Sequence, residues 1–237
     1  MQPISIFRFS PTDGPGYFAT FLDRERLPWR VIALDAGEPI PTTLAGIPGI
    51  AMMGGPMSVN DDLPWVAPME ALLRRAVAAG LPVIGHCLGG QLLARALGAA
   101  VTRSRNVEIG WHEVNVEPSA VAREWLGDDS TYETFEWHNE SFALPPGATR
   151  VLTNVACPNQ GYVLGNSVGL QCHLEMTPEM IGTWVNDGAG ELSCGTLRAG
   201  PYVQSAAEIT ADLATRFGRL YRMADRIYTR WAARLIR

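Results

Sequence analysis

Short apolar segments alternate with helix-like segments through the first hundred residues, and no other feature of the chain restricts its fold as much. Residues 4–9, 29–34, 47–53 and 81–85 read as strands. Residues 14–26, 68–79 and 88–97 read as helices set between or after them. The helix over 68–79 has Pro68 at its start and Gly80 just past its end, the usual polarity of helix punctuation. Strands separated by helices are joined by crossovers, so they pair in parallel and bury both faces. The expected fold is α/β, with a mostly parallel central sheet flanked by helices.

The second half is richer in strands, expected at 100–102, 113–116, 131–136, 150–154, 161–164 and 168–172, with a helix over 178–186 and a Gly-rich loop over 188–202. Near the end, Ile209, Leu213, Phe217, Leu220, Ala224, Ile227, Trp231 and Leu235 recur at steps of three and four. That spacing is one apolar stripe of a helix, with Gly218 a candidate kink. No repeat or linker divides the chain. The expected organisation is a domain over 1–187, and a loop plus amphipathic basic helix over 188–237 packed on the same domain.

Charge is distributed unevenly. All 19 basic residues are Arg, and Lys does not occur. This excludes a Schiff-base lysine, a lysine-linked pyridoxal cofactor and a phosphate-loop lysine. The net charge of −5 argues against general nucleic-acid binding. Residues 216–237 nevertheless hold seven Arg against Asp225 alone, which leaves a basic tail after an acidic body. Three readings of the tail stay open: a helix covering the body, a helix docking a partner or a second copy, and a membrane-surface helix. No segment reaches the ~20 apolar residues that span a bilayer, and the first residues lack the pattern of a secretory signal. Four Cys without paired spacing suggest a reduced, cytoplasmic protein with no disulfide framework and no zinc site.

Chemistry concentrates at Gly85-His86-Cys87-Leu88-Gly89, between the fourth strand and the following helix. A strand–turn–helix elbow exposes its central side chain at the carboxyl end of the strand, and flanking glycines remove Cβ clashes. The helix N-terminus points amides and a positive dipole end at the sulfur, which favours a thiolate and can hold an oxyanion. A buried structural Cys is the alternative reading. In Gln171-Cys172-His173-Leu174-Glu175, alternation along a strand puts His173 and Glu175 on one side and Cys172 on the other. Glu175 can then orient His173, which can serve Cys87 as base and acid. Gly54-Gly55-Pro56 ends the third strand, where an amide could complete an oxyanion hole with that of Leu88. His86 is an unusual polar neighbour for a nucleophile and reads as a core or supporting His rather than a second base.

These three motifs, in this order, resemble the class I (triad-type) glutamine amidotransferase family, over roughly residues 1–187. The nearest type is a stand-alone domain like the glutaminase of GMP synthase. The resemblance implies a flavodoxin-like sheet with a C-terminal helical extension. It also implies a Cys87–His173–Glu175 triad that hydrolyses a γ-glutamyl amide through a thioester, with no cofactor. By residue match, Gly55 and Leu88 supply oxyanion amides, and Gln91 shapes the glutamine pocket. Trp137-His138-Asn139-Glu140 matches a loop that binds the amino-acid end of the substrate, through Asn139 and Glu140; a plain surface loop is the other reading. Val107-Glu108-Ile109-Gly110-Trp111 resembles a family segment near the pocket. The family usually has Pro between the His and Glu, where this chain has Leu174.

No phosphate loop is recognisable and no fused acceptor domain fits the residues after the glutaminase region. Three functions follow: a glutaminase passing ammonia to a separate synthetase subunit, a stand-alone hydrolase of γ-glutamyl peptides or amides, and a silent binding or regulatory module. Glutamine or another γ-glutamyl compound is the expected ligand. A second copy of the chain is a candidate partner, and nucleic acid and membrane are not expected.

Overall fold

In the first half, segments of apolar residues buried on both faces make strands, and helices with one apolar stripe cover them. The computed structural model describes residues 2–188 and 200–235. The first strands are β1 (Ile4–Arg8), β2 (Trp29–Ala33), β3 (Ile50–Met52) and β4 (Val83–His86), with α1 (Gly16–Arg24), α2 (Val66–Ala78) and α3 (Leu88–Ala96) interleaved. Ile4 and Ile6 enter one core with Phe18 and Phe21 of α1. Phe7 and Phe9 enter the opposite core with Leu72 of α2 and Leu92 of α3. The two-residue period of the strand thus feeds both faces of the sheet.

The chain continues through β5 (Val101–Val116), α4 (Ala120–Leu126), β6 (Thr131–Phe142), β7 (Thr149–Thr153), β8 (Gly161–Leu164), β9 (Ser167–Leu170), α5 (Pro178–Asp187), α6 (Ala206–Thr210) and α7 (Leu213–Ala232). All nine strands form one sheet in the order β2-β1-β3-β4-β9-β8-β7-β5-β6. The first five of these pair in parallel, and an antiparallel wing runs from β9 to β6. The α/β sheet flanked by helices is therefore present, with β9 joining its two halves.

Two segments differ from the sequence expectation. The strands expected at 100–102 and 113–116 are the ends of β5, a single 16-residue strand. Its polar middle conceals the alternation, and its register against β6 shifts between Arg103 and Glu108. Residues 137–140, expected as a loop, lie inside β6, where His138 pairs with Glu108 and Glu140 with Arg103. The irregular stretch of β5 lets this strand serve as a cleft wall, as bulges do near sites. Most of the loop expected over 188–202 lies outside the described residues.

The tail covers its own body. Phe217, Leu220, Met223, Ala224, Ile227, Tyr228 and Trp231 of α7 are buried, against α1, α4 and β6. Its polar side meets acids of the same chain: Arg216 with Glu133 at 2.6 Å, Arg226 with Asp129 at 3.2 Å, Arg234 with Glu124 at 3.1 Å, and Arg230 with Glu124. The helix runs through Gly218 without interruption. The break comes earlier, at Asp212 with φ +53°, after the short α6, which a Ser205–Glu208 capping box opens. Among the described residues, no helix is long and apolar enough to cross a membrane.

Between β4 and α3 the chain turns through Cys87, at φ +46° and ψ −109°. Such a conformation costs a non-glycine residue on the order of 1–3 kcal/mol and persists only where its surroundings impose it. Here the Cys87 amide donates to Leu170 O at 2.9 Å, and the Gln91 amide donates to Cys87 O at 2.9 Å. The first turn of α3 lies almost against the sheet backbone. A Cβ on Gly89 would sit 2.7 Å from Met52 O, and one on Gly85 would sit 2.4 Å from the Gly89 carbonyl.

This packing sets the expected effect of three substitutions. Urea unfolding of Trp231→Ala should show a loss of about 3–5 kcal/mol, as expected for a fully buried large side chain. Arg226→Ala, at an exposed ion pair, should lose no more than about 1 kcal/mol. Gly89→Ala should destabilise by about 1–3 kcal/mol or more, because the clash is with backbone that cannot swing away. A Gly89→Ala protein as stable as wild type would contradict this close approach.

Candidate active site

The strand ends β1, β3, β4 and β9 converge where parallel α/β sheets bind ligands, at their carboxyl edge. An open cleft of about 360 Å³ lies there, lined by Asp13, Gly55, Cys87, Gln91, His173 and Trp184 among others. Val107, Ile109, Trp137, His138, Asn139 and Glu140 form its wall from β5 and β6. Six of the eight expected site residues therefore line one cleft: Cys87, His173, Gly55, Gln91, Asn139 and Glu140. Leu88 and Glu175 stand directly behind it.

His173 follows β9 and is anchored by a backbone bond from its amide to Phe135 O at 2.8 Å. Its Nδ1 lies 2.7 Å from Glu175 Oε1, and both side chains are almost wholly buried. The carboxylate fixes Nδ1 as the donor, which turns Nε2 towards the cleft, where among the described residues it has no hydrogen-bond partner. Burial by itself would lower the His173 pKa, but the charges of Glu175 and Cys87 outweigh it and hold it well above the ordinary value. The reciprocal effect is seen at Glu175. Burial would raise its pKa, yet the charge and hydrogen bond of His173 draw it below its ordinary value. The replacement of Pro by Leu174 leaves this hydrogen bond in place.

Cys87 lies at the elbow, in hydrogen-bond range of Gln171 Nε2 at 3.6 Å. Gln171 also accepts from Gln91 Nε2 at 3.3 Å, and Gln91 donates to Glu140 O at 3.0 Å. Gly55 and Leu88 adjoin one another beside the sulfur; a Cβ on Gly55 would be 2.8 Å from Leu88 Cδ2. Among the described residues, neither amide donates to a backbone carbonyl.

The β5–β6 wall is held by a buried polar network. Glu108 accepts from Gln160 Nε2 at 2.9 Å and Asn154 Nδ2 at 2.6 Å, and lies 3.1 Å from His138 Nε2. The Glu140 carbonyl accepts from Gln91 Nε2 and lies 3.1 Å from His138 Nδ1. The Glu140 carboxylate accepts from Ser58 Oγ at 2.7 Å. Glu136, beside this network, is pushed well above the usual carboxylate range by burial and by Glu108. Glu108, His138 and Cys157 each place a donor atom within 4.8 Å of the others, although no metal-binding spacing is visible in the sequence. Burial pushes the Cys157 thiol up to about 12, and its Sγ donates to Asn159 O.

Two cleft residues beside His173 carry no motif. Asp13, in the loop after β1, lies beside His173, and burial raises its carboxyl. Trp184 of α5 stands edge-on to the His173 ring at 4.9 Å and is pinned by its Nε1 bond to Thr12 O. Gln171 sits within a motif without an assigned role. Only the rule that ligands gather at strand carboxyl ends could have singled out Asp13. His86 is buried as expected, with Nδ1 3.3 Å from Met52 O and Nε2 3.1 Å from Tyr228 Oη of α7.

A family model for class-I glutamine amidotransferases matches residues 25–186. The chain is 31% identical to the glutamine amidotransferase-like protein YfeJ of Salmonella typhimurium, over 74% of this chain and 76% of that one. It is 29% identical to the GMP synthase of Aromatoleum aromaticum over 54% of this chain, but spans only 26% of that longer protein. A crystal structure of a glutamine amidotransferase from Methylobacillus flagellatus superposes with a TM-score of 0.97 at 46% identity, covering 100% of this chain and 96% of the other. The fold, its nucleophile-type elbow and these likenesses agree, and the chain belongs to the class-I glutamine amidotransferase family.

Proposed function

We propose that this protein hydrolyses the γ-carboxamide of glutamine through a Cys87 thioester and passes the ammonia to a separate synthetase. The observation that carries this reading is a cysteine on a strained, helix-capping turn that shares one cleft with a buried His173–Glu175 pair. Cys87 Sγ attacks the amide carbon while protonated His173 gives its proton to the departing nitrogen, releasing ammonia and leaving a γ-glutamyl thioester. The amides of Leu88 and Gly55 receive the charge that develops on the carbonyl oxygen. His173 then takes a proton from water, whose oxygen attacks the thioester, and returns it to the sulfur as glutamate leaves. Glu175 holds His173 in the required tautomer. Gln91 secures the Glu140 carbonyl, and Asn139 and Glu140 meet the α-amino end of the substrate.

A second reading, a stand-alone hydrolase of γ-glutamyl amides or peptides, draws support from the size of the cleft. Trp137, Trp184, Val107 and Ile109 add an apolar wall beyond what a glutamyl group needs. The catalytic unit in either reading is residues 1–187, with the helix of 213–232 packed on it. Among the described residues Cys87, Cys157 and Cys172 are free thiols, which suits a reducing cytoplasm.

Glutamate release from glutamine and from γ-glutamyl peptides, measured with and without Cys87→Ala, tests both readings. Replacement of the nucleophile should remove about three orders of magnitude or more of any turnover. Turnover that survives it would end the thioester mechanism; fast turnover of a γ-glutamyl peptide with little of glutamine would favour the second reading.

The pH profile has a defined sign. Because Glu175 raises His173, kcat/KM should fall on the alkaline side only well above the ordinary imidazole pKa of about 6.5. Glu175→Gln removes the anion, so this limb should move to lower pH while kcat drops by about 10²–10⁴. An alkaline limb unmoved by Glu175→Gln would show that the carboxylate does not govern His173.

A further inference from the structure

The helix α7 reaches the site through one hydrogen bond, and the geometry points to Tyr228 and His86 as positioning residues. The Tyr228 hydroxyl holds His86 as a neutral Nδ1–H imidazole, so that the negative charge of Glu175 is spent on His173 alone. This rests on the reading of Cys87, His173 and Glu175 as the reacting triad.

Hydrogen-bond accounting at His86 leaves little choice. Met52 O can only accept, so the proton of His86 resides on Nδ1, 3.3 Å away. Nε2 then carries a lone pair, and Tyr228 Oη, 3.1 Å distant, is the donor that satisfies it. The same Nε2 is 3.9 Å from Glu175 Oε2, a buried oxygen that has no hydrogen-bond partner among the described residues. A second proton on His86 would make an imidazolium facing that oxygen. Glu175 would then be shared between two cations, and its pull on His173 would weaken. Burial already disfavours the charged form of His86. The phenol adds a specific restraint, because protonated Nε2 could not accept from it.

Among the described residues no other group around His86 takes over this task. Cys87 and Cys172 flank the pair along the chain, Asp13 comes from the loop after β1, and Glu136 comes from β6. From α7 only Tyr228 touches His86, with Asp225 further along that helix bonded to Tyr17 and Arg24. The Tyr228 ring is independently packed edge-on to Phe18 at 4.8 Å and Phe21 at 5.5 Å. Removing the hydroxyl alone therefore leaves the aromatic packing in place.

The test measures, across pH, the rate at which a chloroketone analogue of glutamine alkylates Cys87, in wild type, Tyr228→Phe and the double variant His86→Asn/Tyr228→Phe. Asn keeps a donor for Met52 O but cannot become a cation. Without the phenol, Nε2 of His86 is free to carry a proton towards Glu175 Oε2, which the neutral ring can also do by changing tautomer, so the alkaline limb of Tyr228→Phe should move down by about one pH unit or more. The double variant should return to the wild-type limb. Melting temperatures near wild type should accompany both. An unshifted limb in Tyr228→Phe, or the same shift in both variants, would overturn the inference, since the effect would not pass through a proton on His86. Absence of Cys87 alkylation in wild type would instead count against the triad reading itself.

Discussion

Parallel pairing of β4 with β9 sets His86 opposite Leu170, so that the chain leaves both strands at the same edge of the sheet. The bond from the Cys87 amide to Leu170 O extends that pairing by one residue beyond the strands. Cys87 is thereby fixed on one side of the seam and the 171–175 segment on the other. Neither the elbow nor the His173–Glu175 pair would find the other without this contact, which joins positions more than eighty residues apart. Forming it requires the whole antiparallel wing to fold back, because β9 enters the parallel half only after β5 to β8 have been laid down. The wing in turn supplies β6, whose Phe135 carbonyl anchors His173.

Burial of so many ionisable groups at one sheet edge has an electrostatic cost. A buried charge is tolerated only when paired and hydrogen-bonded. The His173–Glu175 pair meets that condition at one carboxylate oxygen and not at the other. Glu108 meets it through His138, Asn154 and Gln160. Glu136, next to Glu108, accepts from Thr134 Oγ1 at 2.7 Å, yet burial and the neighbouring Glu108 push it well above the usual carboxylate range. The site therefore sets its carboxyl groups apart by environment: His173 draws Glu175 down, and like charge and burial push Glu136 up. The same logic makes the C-terminal helix more than a cover, since it delivers the phenol that completes the hydrogen bonds of His86.

Much of this was legible in the chain. Parallel strands announce themselves by being apolar throughout, and the elbow by glycines at a strand–helix junction, so the candidate nucleophile Cys87 and the candidate pair His173 and Glu175 emerge from local patterns. The steps of three and four in the tail mark its helix, and its basic side meets Glu124, Asp129 and Glu133 of the same chain. What stayed hidden depends on pairing at long range. Residues 137–140 look like a loop because His, Asn and Glu are poor strand formers; they are a strand because β5 lies beside them and Glu108 satisfies His138. The polar stretch of β5 misleads for the same reason. The break at Asp212, in place of a kink at Gly218, reflects tertiary packing over propensity. Asp13 and Trp184 belong to no motif, and only the convergence of strand ends brings them to His173.

The central claim is that the Cys87 sulfur is the nucleophile towards a γ-glutamyl group. Its most direct test is the intact mass of the full chain after incubation with a diazoketone analogue of glutamine, followed by peptide mapping. The account predicts one adduct per chain, located on Cys87, blocked by excess glutamine and absent from Cys157 and Cys172, whose thiols burial holds protonated. No adduct, or one distributed over the other cysteines and indifferent to glutamine, would contradict it.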